Sequence, residues 1–232
     1  MRSTIQPPDY KIAIIGSGPS GCFLAEILAL KRPDLQIDIY ERLPHPFGLA
    51  VSGVAPDHLH TRKVTEQFAR TLARDNVNLI CNTEVGSSIS YSELKQRYDR
   101  VVFATGASED RRLGIPGEHL PGIYGSGRFT RWYNNHPESS QFTPLIGQRV
   151  AIIGNGNVAL DIARVLAKTA AEHQTSALSE PVRTHLAKNH IREIHILGRR
   201  GPADASFSVA ELTELSTLAQ AESILHQPYW ME

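Results

Sequence analysis

One short pattern constrains the fold more than any other. An apolar run ends in closely spaced glycines and passes directly into a helical stretch. Ile12 to Ile15 is such a run, and Gly16-Ser17-Gly18-Pro19-Ser20-Gly21 follows it. The unbroken apolar run predicts a buried strand of a parallel sheet. The helix after the turn is expected to place Phe23, Leu24, Ile27 and Leu28 on one face. A second strand, Gln36 to Tyr40, then ends on Glu41. Each part has a physical job. Gly16 makes the tight turn, Gly18 lets the backbone approach a pyrophosphate, and Gly21 lets the helix pack close to the strand. The helix N-terminus offers free N–H groups and a positive dipole end to the same pyrophosphate. Glu41 stands about 20 residues beyond the turn, where a carboxylate accepts hydrogen bonds from an adenosine ribose. A glycine turn alone is weak evidence, but strand, turn, helix, second strand and terminal acid together predict dinucleotide binding.

The pattern returns once. Arg149 to Ile153 is an apolar strand, followed by Gly154-Asn155-Gly156-Asn157-Val158-Ala159. The helix Val158 to Ala170 carries Leu160, Ile162, Val165 and Leu166 as apolar contacts. The next strand, Glu193 to Leu197, ends on Gly198-Arg199-Arg200-Gly201 rather than on an acid. Where an acid would bind a ribose 2′-hydroxyl, a guanidinium pairs with a 2′-phosphate through charge-assisted hydrogen bonds. That is the signal for NADP over NAD; a surface arginine pair is the alternative. Two fingerprints suggest two nucleotides, one per unit.

Between them, the stretch from Arg42 to His58 holds Pro44, Pro46, Pro56, Gly48 and Gly53 and reads as an ordered loop. Its apolar residues Phe47, Leu49, Val51 and Val54 must pack on something, either a cofactor or the sheet edge. Leu59 to Arg74 reads as an amphipathic helix with Val64, Phe68 and Leu72 at four-residue spacing. A short strand, Asn78 to Cys81, follows. Ser90 and Glu93 fit a capping box that starts a helix through Tyr98. Arg100 to Gly106 reads as a buried strand ending in a glycine turn. Residues 107–127 are rich in Gly and Pro and look like a connection, with a short helix over Gly127 to Asn135 and a polar loop over 136–147. Residues 171–190 are polar and partly helical, and Ser206 to Ala219 reads as a helix with Val209, Leu212, Leu215 and Leu218 on one face. The expected division is a first nucleotide-binding domain over 1–107, a connecting segment over 108–147 and a second domain over 148–232.

The 232 residues allow one large or two small domains. Lys plus Arg and Asp plus Glu each number 24, so the net charge is zero. No excess positive field exists to hold nucleic acid or a membrane surface non-specifically. No apolar run approaches the roughly 20 residues that span a bilayer. The opening MRSTIQPPDY has no apolar signal region, so the expectation is a cytoplasmic protein, unless a leader has been removed. Cys22 and Cys81 form no C-x-x-C, which leaves no redox dithiol and no zinc knuckle. Cys22, in the first helical turn, reads as a small buried residue rather than a reactive thiol.

Taken together, GSGPSG, LPHPFGLAVSGVAPDH, ATGA, GNGNVALD and GRRGP followed by ELTEL resemble the adrenodoxin reductase and ferredoxin–NADP reductase family. These are two-dinucleotide flavoproteins of glutathione-reductase-like α/β fold. The likeness runs from about residue 10 to about residue 217, in the family's order. It implies two Rossmann-like nucleotide-binding units, for FAD and NADP. Gly16, Gly18, Ser20 and Gly21 would meet the FAD pyrophosphate and Glu41 its ribose, with further flavin contacts from Leu49 and Val85. Asn155, Gly156, Asn157 and Val158 would meet the NADP pyrophosphate, Arg199 and Arg200 its 2′-phosphate, and Glu211 would add an NADP contact. His58, which closes the APDH motif, and Glu214 match a family pair near the flavin and are expected to serve orientation or proton handling; a histidine that simply caps the following helix is the other reading.

The resemblance implies an enzyme in which NADPH gives a hydride to FAD and reduced flavin passes single electrons to a ferredoxin-type iron–sulfur protein. Arg62, Lys63, Arg70 and Arg74 are candidates for a basic docking patch, or are a solvated helix face. The chain departs from the family in length. The long C-terminal segment that returns to the FAD domain is missing, so the chain is expected to bind FAD weakly and to reduce acceptors slowly or not at all. The competing classes are a non-catalytic nucleotide-binding remnant and a reductase subunit of the glutamate synthase type, which ordinarily carries iron–sulfur cysteines not seen here.

Overall fold

In the computed structural model, residues 10–199 and 204–225 are described. The chain divides into two compact units: Met1–Val54 with Leu59–Asp110, and Ala55–His58 with Arg111–Glu232. Four residues of the proline-rich loop thus count with the second unit, as does most of the stretch read as a connection.

The first unit is a four-stranded parallel sheet. Its elements are β1 (Lys11–Ile15), α1 (Pro19–Lys31), β2 (Gln36–Tyr40), α2 (Leu49–Ser52), α3 (Leu59–Arg62), α4 (Val64–Leu72), β3 (Val77–Ile80), α5 (Tyr91–Arg97) and β4 (Arg100–Phe103). The strand order is β3-β2-β1-β4, all parallel, with Ile14 opposite Ile39 on one side and Val102 on the other. The central strand β1 is apolar and buried from Ile12 to Ile15 because both its faces are covered. One face buries Ile12, Ile14, Ile37, Ile39 and Val77 against Ala25 and Ala29 of α1. The other buries Ala13, Ile15 and Tyr40 against Leu94 of α5 and Ile89 before it. The capping box forms as expected: the Glu93 N–H donates to Ser90 Oγ (3.1 Å), and the Ser90 N–H donates to Glu93 Oε2 (2.9 Å).

Four expectations for this unit need correction. Of the four residues expected on one face of α1, half-buried Leu24 and Leu28 pack against the sheet core beside Ala25 and Ala29, while Phe23 and Ile27 are exposed; Cys22 is buried on Ala50 and Phe68. The fully buried positions, Gly21, Ala25 and Ala29, are small because the helix starts so close to the strand end that a Cβ on Gly21 would lie 2.0 Å from the Gly16 oxygen. The loop after Glu41 contains one helical turn, α2. The helix read over Leu59 to Arg74 is two, α3 and α4, parted at Lys63, whose N–H bonds to the His60 carbonyl. Finally, β4 is not buried: it pairs only with β1 among the described strands, and Phe103 is 57% exposed.

The second unit contains α6 (Ser126–Tyr133), β5 (Arg149–Ile153), α7 (Asn157–Ala167), α8 (Glu180–Ala187), β6 (Glu193–Leu197) and α9 (Val209–Leu215), with short 3-10 turns at Pro137–Ser139 and Glu172–Thr175. β5 and β6 are parallel, Ile152 lying opposite Ile196. α7 is buried from Ala159 to Leu166 because it meets β5, β6, α6 and α9. Phe129, Trp132 and Tyr133 of α6 join Ile162, Val165 and Leu166 of α7 and Val182 and Leu186 of α8 in one core. The apolar stripe expected on the last helix forms in part: Leu215 is buried with Leu160 and Ala163 and Leu218 packs on the same cluster, but Val209 and Leu212 are exposed. The side of α9 facing α7 also carries Glu211 and Glu214. Among the described residues no helix is long and apolar enough to cross a membrane.

Candidate functional site

The first glycine turn lies where β1 ends between β2 and β4, the point at which the strand order changes direction. Ligands of open α/β sheets bind in this crevice, at the carboxyl ends of the strands. The Gly16 N–H donates to the Tyr40 carbonyl (2.8 Å), and the Ala104 N–H donates to the Ile15 carbonyl (2.8 Å). Gly16 has φ +105°, and a Cβ there would come within 2.5 Å of the Ala104 oxygen. Gly21 faces the strand so closely that a Cβ would lie 2.0 Å from the Gly16 oxygen. Gly18 differs: a Cβ there would meet nothing nearer than Gly48 Cα at 4.0 Å, so its missing side chain leaves open space. No side chain caps α1, Pro19 opens it, and Ser20 is exposed.

The proline-rich loop lies on this turn. The Phe47 N–H donates to the Ser17 carbonyl (3.0 Å), and Gly48 sits so near Gly18 that a Cβ on it would be 2.9 Å from Gly18 Cα. Phe47 has φ 87° and Gly48 φ 46°. A bulky residue in that region is strained and persists only where its surroundings hold it. Leu49 follows, 62% exposed. Glu41, at the end of β2, is buried. Its Oε2 accepts the Ser17 N–H (3.1 Å) and hydroxyl (2.6 Å), and its Oε1 accepts the Leu43 N–H (3.0 Å). The chain passes Glu41 again at Thr83, whose N–H donates to the Glu41 carbonyl (2.9 Å), and reaches half-buried Val85 two residues later. Cys22 is fully buried and its thiol donates to the Ser17 carbonyl (3.1 Å). Burial, with the nearby Glu41 charge, pushes that thiol up to about 12, which leaves it inert.

The second turn repeats the arrangement at the end of β5. The Gly154 N–H donates to the Leu197 carbonyl (3.0 Å), and Gly154 has φ +135°. Gly156 is the N-cap of α7, no side chain caps that helix, and Val158 is half exposed. Ser206 and Ser208 close on the turn. The Asn155 carbonyl accepts the Ser206 N–H and hydroxyl (3.0 Å each), and Asn157 Oδ1 accepts the Ser208 N–H (2.7 Å). Arg199 is exposed directly after Gly198, where a Cβ would be 3.0 Å from the Asn155 side chain. Arg200 lies outside the described residues.

His58 stands beside α7 and α9. Its Nε2 is 2.8 Å from Glu214 Oε2 and 3.8 Å from Glu211 Oε2, and its Nδ1 is 3.6 Å from Asp161 Oδ1. The structure therefore brings His58 and Glu214 together across 156 positions. Beneath them Arg164, 1% exposed, reaches Asp57, Asp161, Glu211 and Glu214. Lys168 Nζ lies 2.6 Å from Asp57. Burial alone would raise Asp57, but hydrogen bonds from Arg164 and Lys168 overcome it and hold the carboxyl well below its ordinary range. Glu211 moves the other way, raised by burial and then by the neighbouring Asp161 charge. The His58, Asp161 and Glu211 donor atoms lie within 4.8 Å of one another, a spacing that suits a metal ion. The place of a cation there is taken, since Arg164 nitrogens stand 2.6 Å from Asp161 and 3.0 Å from Glu211.

Sequence reasoning missed Ser17, Asp57, Asp161, Arg164 and Lys168. Asp161 and Arg164 did leave a signal. They are an acid and a base three residues apart on a helix whose other inward positions are apolar.

Comparison with known proteins places these features in context. The family model described as pyridine nucleotide-disulphide oxidoreductase matches residues 10–196. The mitochondrial NADPH:adrenodoxin oxidoreductase of Arabidopsis thaliana is 41% identical over 206 residues, 88% of this chain and 43% of that protein. NADPH-ferredoxin reductase FprA of Mycobacterium tuberculosis is 41% identical over 222 residues, 93% of this chain and 49% of that protein. The solved structure of that FprA in complex with NADPH superposes with a TM-score of 0.87 at 42% identity, over 90% of this chain and 48% of that one. The chain spans about half the length of the curated relatives it matches.

Proposed function

Because the chain belongs to the pyridine nucleotide-disulphide oxidoreductase family, we propose that it carries the FAD and NADP sites of an FAD-dependent NADPH:ferredoxin (adrenodoxin-type) oxidoreductase. One observation carries the reading: two helices without side-chain caps, α1 and α7, are each entered from the carboxyl end of a parallel strand through closely spaced glycines. The two sites differ in the group that follows the second strand, buried Glu41 in one and exposed Arg199 in the other. The first site is the Rossmann-like flavin unit over 1–107, and the second is the NADP unit over 148–232. The names of the similar proteins support a ferredoxin-type acceptor. The family's disulphide chemistry has no carrier here, since Cys22 and Cys81 are both free and Cys22 is buried.

The residues fit a dinucleotide at the first turn because Gly18 leaves open the cradle that a Cβ would fill. Gly16, Gly18, Ser20 and Gly21 take the flavin pyrophosphate, Glu41 its ribose, and Leu49 and Val85 line its way. Asn155, Gly156, Asn157 and Val158 take the NADP pyrophosphate, Arg199 and Arg200 the 2′-phosphate, and Glu211 adds a further NADP contact. Bound FAD would supply the hydride and single-electron chemistry. The protein's part is orientation, with His58 and Glu214 holding a proton between imidazole Nε2 and a carboxylate oxygen. Relatives with mitochondrial names and a bacterial one leave a cytoplasmic location as a proposal alone.

The test is spectroscopic. The 232-residue chain is given FAD, and NADPH is added without oxygen. Flavin fluorescence quenched on binding and absorbance bleached by NADPH are the expected results; no flavin binding and no response to NADPH would overturn the assignment. We also propose that this chain by itself holds FAD weakly and reduces ferredoxin slowly. Stoichiometric flavin after purification, with brisk ferredoxin reduction, contradicts that part alone.

A further inference from the structure

His58 meets Glu214 directly, at 2.8 Å, but its place depends on more than that contact. Each carboxylate that its ring faces is also held by Arg164. The guanidinium has five N–H donors in a rigid plane. Nε and one Nη2 donor clamp the two oxygens of Asp57, the residue before His58, at 2.8 and 3.1 Å. Nη2 also reaches Asp161 at 2.6 Å, and Nη1 lies 3.0 Å from Glu211 and 2.9 Å from Glu214. Asp161 comes from α7 and the two glutamates from α9, so one side chain ties both helices to the segment Ala55–His58. Lys168, the other cation in the cluster, contacts Asp57 and leaves the remaining acids to Arg164.

Charge alone does not explain this arrangement. An ammonium is a point charge with three donors and cannot present a fork to Asp57 while also spanning two helices. We propose that Arg164 is the positioning residue of the His58 site: it fixes the direction in which the imidazole Nε2 meets Glu214, by holding Asp57 and Glu214 on one guanidinium plane. As a functional statement this rests on the His58–Glu214 pair belonging to the working site. The geometric statement can be tested without any cofactor.

The test uses the full chain labelled with nitrogen-15. Long-range proton–nitrogen spectra report the tautomer of His58 and the exchange of its Nε2–H, and loss of the signal in His58→Gln assigns it. Arg164→Lys keeps the positive charge and removes the fork. It is expected to change the His58 tautomer balance and to speed Nε2–H exchange about tenfold or more. Asp57→Asn leaves the guanidinium in place and loosens the clamp, and should move the same signals in the same direction. If Arg164→Lys lowers the melting temperature but leaves the His58 signals as in the parent, Arg164 is structural filling and the proposal fails. If Arg164→Lys does not fold, unchanged His58 signals in Asp57→Asn overturn it. A chain that never binds flavin refutes the functional reading and leaves these spectra unaffected, so the two failures are distinguishable.

Discussion

Gly18 and Gly21 belong to the same turn, but the structure assigns them opposite duties, and substitution separates them. A methyl group at Gly21 would stand 2.0 Å from the Gly16 carbonyl oxygen, a backbone atom that no rotamer change can move. Relieving the contact requires α1 and β1 to part by at least about 1 Å, the kind of overpacking that costs about 1–3 kcal/mol. For a chain of this size that lowers the melting temperature by about 2–12 °C. A methyl group at Gly18 has open space, with no atom nearer than 4.0 Å, and Gly18 already has φ −69°, which any residue adopts. Its effect on the cofactor-free fold should stay within about 0.5 kcal/mol. The same methyl group would occupy the space left for a pyrophosphate, so flavin affinity should fall at least about tenfold, or 1.4 kcal/mol. Scanning calorimetry of both variants without FAD, followed by flavin fluorescence titration, gives the four numbers needed. Gly18→Ala should melt like the parent and lose flavin, and Gly21→Ala should lose both stability and flavin. A Gly21→Ala chain as stable as the parent, or a Gly18→Ala chain that binds FAD normally, would falsify this division of labour.

Arg199→Ala should weaken NADPH binding about 10- to 100-fold through loss of a charge-assisted hydrogen bond; NADH binding should hardly change, and equal losses for both refute the 2′-phosphate role. His173 is 2% exposed, its Nε2 lies 3.0 Å from the Val165 carbonyl, and its Nδ1 has no hydrogen-bond partner among the described residues. Burial holds it below its ordinary value. The unfolded chain therefore takes up a proton that the folded chain refuses, and stability should fall as pH drops below about 6.5. Melting curves from pH 7.5 to 5 should show this slope and lose it in His173→Gln; a slope unchanged by the substitution removes His173 from the account. Glu211 is raised, so its contribution is present below about pH 4.3 and lost as pH rises through its folded value. Relative to the parent, Glu211→Gln should accordingly melt higher at pH 8 than at pH 4, and the reverse order contradicts the assignment.

The parts legible in the sequence are those set by local rules. Both strand–glycine–helix units could be read because a turn with positive φ at Gly16 and Gly154 needs glycine whatever surrounds it. The Ser90–Glu93 box could be read because its donors and acceptors lie within one helical turn. Runs rich in apolar residues located β2, β5 and β6 to the residue and β1 and β3 within one, while β4 stops at Phe103, three residues short of the expected Gly106. What only the tertiary structure decided depends on neighbours distant in the chain. Of the large residues of α1, Leu24 and Leu28 pack on the sheet and Phe23 and Ile27 do not, and the fully buried positions there are the small Gly21, Ala25 and Ala29, because the close approach at Gly21 sets the distance to the strand. Phe103 is exposed because β4 ends the described sheet, which no run of apolar residues reveals. The segment carrying Asp57 and His58 joins the second unit through an arginine 107 positions away. In the sequence Arg164 is one base among many. Burial beside four acids from three separate stretches makes it the centre of the site, and that convergence is a property of the fold.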